Sequence, residues 1–545
     1  MLANPQSRFL SPSFLLILLV GPVKGIKMEI FLHFIIGLLG MFRLARHYKM
    51  DKLTACLPAF VYMLSSMFAL NLTVGVTWFS SVAYLPWAFL LYLKGFEEWK
   101  FALLSGLFLV LMYFGGGAYL LIITISFLGL FSLLSLRRYG IFKVARLFIL
   151  LLVFTISLGA IKLFPSFEFL KEHPRQISDY SGYSIKMLYQ SLLSRDQSLA
   201  AVQKYPHKAG FWDGMSYAMD ENGMYIGFIP LLLFLFALLG DISGSRLDAG
   251  AHWRPQHRLS ICFLIFLWLG FGNRIPLSLW KLLHALPVFD SMRVAQRFRI
   301  VFMFIMALFV GFGFKSLLNI LEQKLKNRRL LQLLRAGIPI IIMIDLISVN
   351  SPVFKDAFPI PPLSVERQEG FSQIAEEKNY DANGIVTQAP LHMYSSWSAL
   401  YPAFLSNLGT IQAYEPLNVP RNAIPRNSLN YRGEAFFWGT SGKLSIDSWS
   451  PNRVVVSVQP RKEGYLVLNQ NYYSGWKAKG KRPRQVESVD CRSGGEAKSG
   501  YMLVGVRIFP EDKAIEFYYS PLSFKLGCIV TCLSILGGAL VWFRK

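Results

Sequence analysis

One stretch of this sequence reads Phe298-Arg-Ile-Val-Phe-Met-Phe-Ile-Met-Ala-Leu-Phe-Val-Gly-Phe-Gly-Phe314, and Arg299 is its only charged residue. Apolar runs of this kind approach the roughly 20 residues that cross a bilayer core. They recur along the chain, and one more, Phe524–Phe543, follows a long polar stretch. The sequence predicts a polytopic α-helical membrane protein with about eleven transmembrane helices. The predicted spans before residue 351 are Ile26–Phe42, Leu53–Leu72, Val74–Leu93, Phe101–Phe114, Tyr119–Leu136, Phe142–Phe164, Met224–Leu239, Leu259–Phe271, Phe298–Phe314 and Gly337–Val349.

The apolar and polar regions divide the chain into three predicted parts. Residues 1–350 form a transmembrane domain with long outer loops at 165–223 and 272–297. Residues 351–520 form an extracytoplasmic domain, and residues 521–545 form the last transmembrane helix and a cytoplasmic tail. A large water-facing domain is therefore expected to be tied to the membrane at both ends.

Short alternating segments replace the long apolar runs after Pro352, and this pattern is typical of strands. With no clear helices between them, these strands predict a β-sandwich-like domain before the last helix. We also expect one helix at Phe371–Lys378 and a flexible loop at Gly480–Gly500. The predicted strands are Lys443–Asp447, Arg453–Gln459, Gly464–Gln470, Tyr501–Ile508 and Lys513–Tyr519.

The composition agrees with a membrane protein, because 53% of the residues are hydrophobic and only 16% are charged. A net charge of +24 in a soluble protein would point to nucleic acid. Here the basic residues concentrate in alternate loops, which the positive-inside rule places in the cytoplasm. We therefore expect membrane lipids as partners and no nucleic acid.

The same rule predicts the orientation, because the short intervening loops Leu72–Gly75 and Gly115–Gly117 carry no charge. The glycine run Gly115–Gly117 also indicates a tight turn between two helices. With this orientation the first span, Ile26–Phe42, runs inward. This topology predicts that a preceding span and its outer loop are missing, and the alternative is a protein whose N-terminus lies outside. The basic loop residues are Arg43, Arg46, Lys49, Lys52, Lys94, Lys100, Arg137, Arg138, Lys143, Arg146, Arg246, Arg254, Arg258, Lys324, Lys326, Arg328, Arg329 and Arg335.

Several distinctive motifs lie in the predicted sheet domain and beside the predicted spans. The most specific is Gly464-Tyr-Leu-Val-Leu-Asn-Gln-Asn-Tyr-Tyr-Ser-Gly-Trp-Lys-Ala478. It is followed by Ile515-Glu-Phe-Tyr-Tyr-Ser-Pro-Leu-Ser-Phe-Lys-Leu-Gly527, which leads into the last span. The others are Tyr84-Leu-Pro-Trp87, Asn222-Gly-Met-Tyr-Ile-Gly-Phe-Ile-Pro230 and Pro287-Val-Phe-Asp-Ser-Met-Arg-Val-Ala-Gln-Arg-Phe298. Together these motifs resemble those of the YfhO-like family of bacterial membrane proteins.

The resemblance implies a GT-C-type glycosyltransferase of the bacterial inner membrane. Such a protein would move a sugar from a polyprenyl-phosphate donor to an envelope glycan, lipid or polymer at the outer face. Enzymes of this type carry an essential acidic residue in their first outer loop. Here Asn4–Pro12 resembles only the end of that loop, and no Asp or Glu precedes Glu29. The resemblance and the topology therefore both indicate that the same piece is missing.

Sugar transfer needs a carboxylate to accept the proton of the acceptor hydroxyl. The catalytic candidates are Asp213, Asp220 and Glu221, which lie together in a predicted outer loop. Trp212 and Tyr217 in the same loop are candidates for stacking on a sugar ring. The alternative interpretation is an ordinary solvated loop with aromatic residues at the membrane interface.

The leaving phosphate needs positive charge, which basic side chains or a divalent cation would supply. The donor-phosphate candidates are Arg293, Arg297 and Arg299, and a spacing of four places the first two on one helix face. The alternatives are contacts with lipid headgroups or pairing with Asp290. Lys162 and Asp345 lie near span ends, which predicts that their side chains reach the membrane surface. The histidines and cysteines show no metal-ligand spacing, so we expect no protein metal cluster.

Two other functions remain open at this point. A transporter or flippase favours charges at the membrane midplane and paired broken helices. A non-catalytic assembly protein would explain the missing acidic loop. The sequence favours the transferase, because its charged candidates gather at one predicted membrane face.

The orientation predicts the labelling of single cysteines by a membrane-impermeant thiol reagent in intact cells. In a background that lacks the native cysteines, Gly480→Cys should be labelled from outside and Ser243→Cys should not, because the bilayer separates the two loops. Both should be labelled after the cells are lysed. The reverse pattern in intact cells would contradict the orientation.

Overall fold

The computed structural model describes residues 3–174, 181–198, 201, 210–242, 255–324, 327–355, 422–424, 429–491 and 502–543. The chain divides into two compact units. The helical unit contains Met1–Phe167, Ile177–Pro359 and Gly527–Lys545. The sheet unit contains Glu168–Gln176 and Ile360–Leu526.

Helices account for most of the described structure before residue 356. Short 3₁₀ helices at Thr77–Tyr84, Gly272–Arg274 and Ala295–Phe298 interrupt them. The α-helices are α1 Phe14–Val20, α2 Pro22–His47, α3 Lys52–Leu64, α4 Ser66–Thr73, α5 Leu85–Gly95, α6 Lys100–Phe114, α7 Ala118–Leu133, α8 Leu136–Tyr139, α9 Ile141–Leu158, α10 Ala160–Glu172, α11 Ile185–Leu193, α12 Met219–Asn222, α13 Phe228–Ile242, α14 Pro255–Gly270, α15 Leu279–His284, α16 Arg299–Lys324, α17 Arg328–Lys355 and α18 Leu522–Phe543.

Six helical segments among the described residues are long and apolar enough to cross a membrane. They are Pro22–His47, Lys52–Thr73, Ile141–Leu158, Ala295–Lys324, Arg328–Lys355 and Leu522–Phe543. Further apolar helices, such as α6 and α7, have 10–17 residues. The chain is therefore consistent with a multi-pass membrane protein.

The region predicted as a single span at Val74–Leu93 is built differently. Gly75 has a φ of 77°, and a 3₁₀ helix occupies Thr77–Tyr84 before α5 begins. Pro86 lies in the first turn of α5, where proline costs no hydrogen bond, so the α-helix starts there. The preceding span is also interrupted, because Ser65 is extended between α3 and α4. By contrast, the predicted turn at Gly115–Gly117 does separate α6 from α7.

Helix α16 contains most of the apolar stretch Phe298–Phe314 and lies at the centre of the helical unit. In the most apolar part of its segment 89% of the residues are buried, compared with 11% in α18. The Phe304 ring lies edge-on to Tyr62, Phe89 and Phe127 at centroid distances of 5.7, 5.7 and 5.9 Å. A helix that is apolar on all sides is buried by its neighbours on all sides.

The described part of the sheet unit contains two antiparallel sheets. One has the strand order β1-β4-β8-β7 and the other β2-β3-β9-β5-β6. Buried side chains from both sheets, including Leu466, Val506, Val456 and Phe517, share one hydrophobic cluster. The strands are β1 Ala435–Trp438, β2 Gly442–Ser450, β3 Arg453–Pro460, β4 Gly464–Asn471, β5 Trp476–Lys479, β6 Pro483–Arg484, β7 Val486–Asp490, β8 Met502–Ile508 and β9 Ala514–Tyr519.

All five predicted strand segments contain strands, and the described residues include four further strands that the sequence did not predict. The expected flexible loop at Gly480–Gly500 is wrong in its first half, because β6 and β7 lie there. The alternation in Val486–Asp490 is short and charged, so it resembles a loop until β8 pairs with it. The predicted helix at Phe371–Lys378 lies outside the described residues.

Gly313 of α16 allows α13 to approach closely. A side-chain carbon at this glycine would collide with the main chain of Leu233, and a backbone neighbour cannot rotate away. Gly337 of α17 is a matched contrast, because no atom lies within 4 Å of the corresponding position.

Gly313→Ala is therefore expected to lower the free energy of unfolding by about 1–3 kcal/mol, because the two helices must separate. Gly337→Ala should be neutral or slightly stabilising, since alanine favours a helix over glycine. Thermal unfolding of the detergent-solubilised protein measures both. Equal melting temperatures for the two variants would rule out this close approach as a packing constraint.

Candidate functional site

A buried ion pair joins Glu221 of α12 to Arg297, just before α16. The Arg297 Nε atom donates to both Glu221 carboxylate oxygens at 3.1 Å, and Nη2 makes a closer contact with Oε1. The side chains are only 10% and 14% exposed. A fork of this kind fixes the orientation of both groups and neutralises their charges.

Two aromatic rings lie against the same guanidinium group. Its central carbon is 5.4 Å from the Trp78 ring centroid and 4.6 Å from that of Tyr119. The two rings stack at 6.4 Å with an angle of 24° between their planes. Sequence reasoning missed both residues, although each closely follows one of the uncharged turns at Gly75 and Gly117. The two glycine turns are the feature of the sequence that could have indicated these two residues.

Asp220 is held beside this pair by its main chain. Its carbonyl oxygen accepts hydrogen bonds from Asn71 Nδ2 at 3.2 Å and from Arg299 Nη2. Arg299 is only 1% exposed, and its Nε and Nη1 atoms find no acceptor within the described part of the chain. We call Asn71, Trp78, Tyr119, Asp220, Glu221, Arg297 and Arg299 the Glu221 cluster. It contains a guanidinium group that can donate further hydrogen bonds.

The two adjacent carboxyl groups titrate differently. Burial, with the Glu221 carboxylate next in importance, raises the pKa of Asp220 to about 6. Burial would also raise the pKa of Glu221, but the nearby guanidinium groups of Arg297 and Arg299 outweigh it and lower that pKa. Glu221 is therefore the permanent partner of the arginines, and Asp220 is the group that can exchange a proton near neutral pH.

The loop that carries both carboxylates is anchored through Asn222. Its side-chain amide donates to the carbonyl oxygens of Tyr217 at 2.7 Å and Ala218 at 2.9 Å. The main-chain carbonyl of Asn222 accepts a hydrogen bond from the buried Tyr183 hydroxyl at 2.7 Å. Tyr217 thus contributes to the site through its main chain.

Trp212 and Asp213 belong to a different set of contacts. Trp212 is 73% exposed and lies edge-on to Phe211 at 5.1 Å. Asp213 pairs with Lys186 at 3.4 Å, and both side chains are about half exposed. Among the described contacts, the structure therefore groups Asp220 and Glu221 with the arginines but not Trp212 and Asp213.

The predicted helical pairing of Arg293 with Arg297 is wrong. Val294 lies between them with a left-handed φ of 67°, and the 3₁₀ helix begins only at Ala295. A spacing of four residues places two side chains on one face only if the intervening backbone is helical. Arg293 nevertheless remains close enough for its charge to lower the pKa of Glu221.

The N-terminal segment brings a second buried pair close to Trp78. Arg8 pairs with Glu29 of α2, and the Ser13 hydroxyl donates to the same carboxylate at 2.6 Å. The segment packs tightly against Gly116, where a side-chain carbon would lie 3.0 Å from Trp78 Cβ and 3.1 Å from Arg8 Cγ. The sequence identifies Glu29 only as the first acidic residue, because no pattern of neighbouring residues indicates that Arg8 is its partner.

Lys162 does not reach the membrane surface as predicted. Its side chain is completely buried and donates to the carbonyl oxygens of Pro5, Ser7 and Tyr113 at 2.9, 2.6 and 2.8 Å. Three main-chain acceptors replace the water that a surface ammonium group would have. Asp345, in contrast, is 31% exposed and pairs with Arg195.

In the part of the chain that the structure describes, no three His, Cys, Asp or Glu side chains converge as a metal site. No protein-family model matches this chain, and no curated protein matches it.

The raised pKa of Asp220 predicts a pH-dependent stability. The folded state favours the neutral carboxyl group of Asp220. This group therefore makes its full contribution to the free energy of unfolding below about pH 4, the ordinary pKa of an aspartic acid side chain. That contribution is lost as the pH rises through about 6. Asp220→Asn, which is neutral at every pH, should lose less stability than the wild type between pH 5 and 7.5.

Chemical unfolding at several pH values measures this difference. Asp213→Asn is the matched control, because Asp213 is half exposed and paired with Lys186, and it should keep the wild-type pH dependence. The assignment to Asp220 fails if Asp220→Asn and the wild type lose stability in parallel.

Proposed function

We propose that this chain is a bacterial inner-membrane glycosyltransferase of the GT-C type, similar to the YfhO-like family. It would transfer a sugar from a polyprenyl-phosphate donor to an envelope glycan, lipid or polymer at the outer face. In this proposal the shorter apolar helices join the six long ones to give about eleven spans. The two sheets form an extracytoplasmic β-sandwich. The motifs around Trp476 and the apolar helices support the class, and the Glu221 cluster supports the chemistry.

The observation that carries the proposal is the juxtaposition of Arg299 with Asp220. Arg299 is buried, yet Nε and Nη1 lack an acceptor within the described residues. A buried guanidinium with unsatisfied donors is costly unless a ligand supplies oxygen atoms. Phosphate supplies several negative oxygens in the geometry that arginine matches best.

The reaction would need the Asp220 carboxylate and the Arg299 guanidinium at the same time. The acceptor hydroxyl gives its proton to the Asp220 carboxylate while its oxygen attacks the anomeric carbon of the donor sugar. The bond between that carbon and the phosphate oxygen breaks, and the bonding electrons leave with the polyprenyl phosphate. Arg299 stabilises the charge that develops on this phosphate. A base with a pKa of about 6 is matched to proton transfer near neutral pH.

The other members of the cluster would orient the substrates. Glu221 keeps Arg297 fixed against the buried rings of Trp78 and Tyr119, so the charge of the cluster is held in one position. An aromatic face is attracted to the slightly positive C–H groups of a sugar ring. In this proposal the exposed ring of Trp212 and the half-buried ring of Tyr217 keep the sugar-stacking role that the sequence suggested.

One observation favours a second function, the movement of a lipid-linked sugar across the membrane. The Arg8–Glu29 pair and Lys162 are buried within the helical unit. Buried ionisable groups among membrane helices often mark the path of a polar substrate. Their hydrogen bonds to the N-terminal segment give them a structural role. This role favours sugar transfer over the movement of a lipid-linked sugar.

Arg299→Gln should weaken the binding of undecaprenyl phosphate to the full chain in lipid nanodiscs. Losing charge-assisted hydrogen bonds costs about 1.5–3 kcal/mol, or about one to two decades in affinity. Arg299→Lys should recover only part of the loss, because it keeps the charge without the fork.

Arg258→Gln is the matched control, since Arg258 is also buried and its Nε also lacks an acceptor among the described residues, but its contacts are with Ser135 and the Phe131 ring rather than with the Glu221 cluster. It should bind the lipid phosphate as the wild type does. If Arg299→Gln keeps full affinity, or both variants lose it equally, Arg299 does not bind the donor phosphate.

A further inference from the structure

Five aromatic rings form a partly exposed cluster in the sheet unit. Phe169 of α10 and His173, the residue after this helix, lie 5.1 Å apart, and each lies 6.0 Å from Tyr473. Tyr473 is also 6.0 Å from Tyr519, which contacts Trp476 at 5.7 Å. We call this set the Tyr473 cluster. Its rings are half-buried, whereas Phe517 in the same strand as Tyr519 is completely buried.

Gly475 makes this arrangement possible. A side-chain carbon at Gly475 would collide with the Tyr519 ring, so the ring lies directly on the glycine backbone. Trp476 and Tyr519 are partners across β5 and β9, and Ser520 N–H donates to the Gly475 carbonyl at 2.9 Å. Gly475 and Trp476 of the sequence motif thus bring aromatic side chains together.

Two carboxylates border the rings. Glu168 and Glu172 are four residues apart on α10 and therefore share a face. Glu172 accepts a hydrogen bond from the Ser474 hydroxyl at 3.0 Å, and Glu168 accepts one from Ser523. Burial, then these two carboxylates, raises the pKa of Tyr519 to about 12. Within the described residues, each carboxylate uses one oxygen and keeps the other available as an acceptor.

Partly exposed aromatic residues beside carboxylate acceptors fit one ligand chemistry well. The C–H side of a neutral sugar is attracted to an aromatic face, and its hydroxyl groups donate to carboxylate oxygens. A phospholipid headgroup fits less well, because two carboxylates repel its phosphate. The cluster therefore favours a neutral sugar over an anionic lipid.

The position in the sequence indicates where such a sugar would come from. Glu168 lies in α10, ten residues beyond the candidate span that ends at Leu158, and Tyr519 lies three residues before α18 begins. A ligand reaching residues so close to two membrane helices can itself be held by a lipid. A membrane-anchored glycan meets this condition.

We propose that the Tyr473 cluster binds the neutral sugar units of a membrane-anchored glycan. This inference rests on the proposed function, because it identifies that glycan as the acceptor of the transferred sugar. Tyr473 and Trp476 provide stacking faces, and Glu168 and Glu172 accept hydroxyl hydrogen bonds. The site lies entirely in the sheet unit, so it can be tested without the transfer reaction.

The test uses the full chain in phosphatidylcholine nanodiscs without any donor lipid. The probes are two neutral trisaccharides, maltotriose and chitotriose, and one acidic trisaccharide, trigalacturonate. Saturation-transfer NMR and titration should show binding of a neutral probe and weaker binding of the acidic one. Tyr473→Ala and Trp476→Ala should each weaken neutral-probe binding about five- to tenfold, because each removes an aromatic contact.

Tyr518→Ala is the matched control. Tyr518 is the neighbouring tyrosine of β9, but alternation places it on the opposite sheet face, near Lys479. It should bind the neutral probe with wild-type affinity. Tyr473→Phe keeps the ring and should retain most of the binding, which separates ring stacking from a loss of folding.

Glu172→Gln tests the carboxylates and does not depend on the alanine variants folding. Removing this charge should narrow the difference in affinity between the neutral and acidic probes. The proposal is overturned if neither neutral probe binds the wild type. It is also overturned if Tyr473→Ala binds as tightly as Tyr518→Ala, or if Glu172→Gln leaves the preference unchanged. Because no donor is present, none of these outcomes depends on Arg299 or Asp220.

Discussion

A charge that leaves water must find a partner, and this requirement organises the helical unit. Glu221 and Arg297 satisfy each other through a forked contact, and the pair ties a loop to the start of α16. Arg299 follows two residues later and bonds to the Asp220 carbonyl. The most buried of the six long apolar segments among the described residues thus begins among charged groups. The pairing holds those groups in place so that one carboxyl, Asp220, retains a proton-exchanging role.

The same requirement explains how the N-terminal segment is held. Lys162 has three carbonyl oxygens as acceptors, two of which belong to Pro5 and Ser7. Arg8 in this segment pairs with Glu29, and its side-chain stem lies close to Gly116. Because these groups are buried, removing one partner would leave the other without solvent or counter-charge. The segment is therefore part of the packed structure beside Trp78.

Packing in both units also depends on glycines at which a neighbour takes the place of a side chain. Gly313 admits the Leu233 main chain between two helices, and Gly475 admits the Tyr519 ring between two strands. In the first case the result is a tightly packed apolar core. In the second it is a set of rings that remain partly exposed beside carboxylates, and such a surface is suited to binding.

The long apolar helices and five of the described strands could be predicted from the sequence, because they depend on neighbours along the chain. The prediction was wrong at Val74–Leu93, where turn geometry overrides hydrophobicity, and it missed β7, which depends on its partner strand. The pairing of the charged side chains could not be predicted, because the partners are distant in the sequence. Arg297 finds Glu221 across 76 residues, and Lys162 finds Pro5 across 157. Contacts over such distances are set by the packing of whole helices, and no local pattern records them.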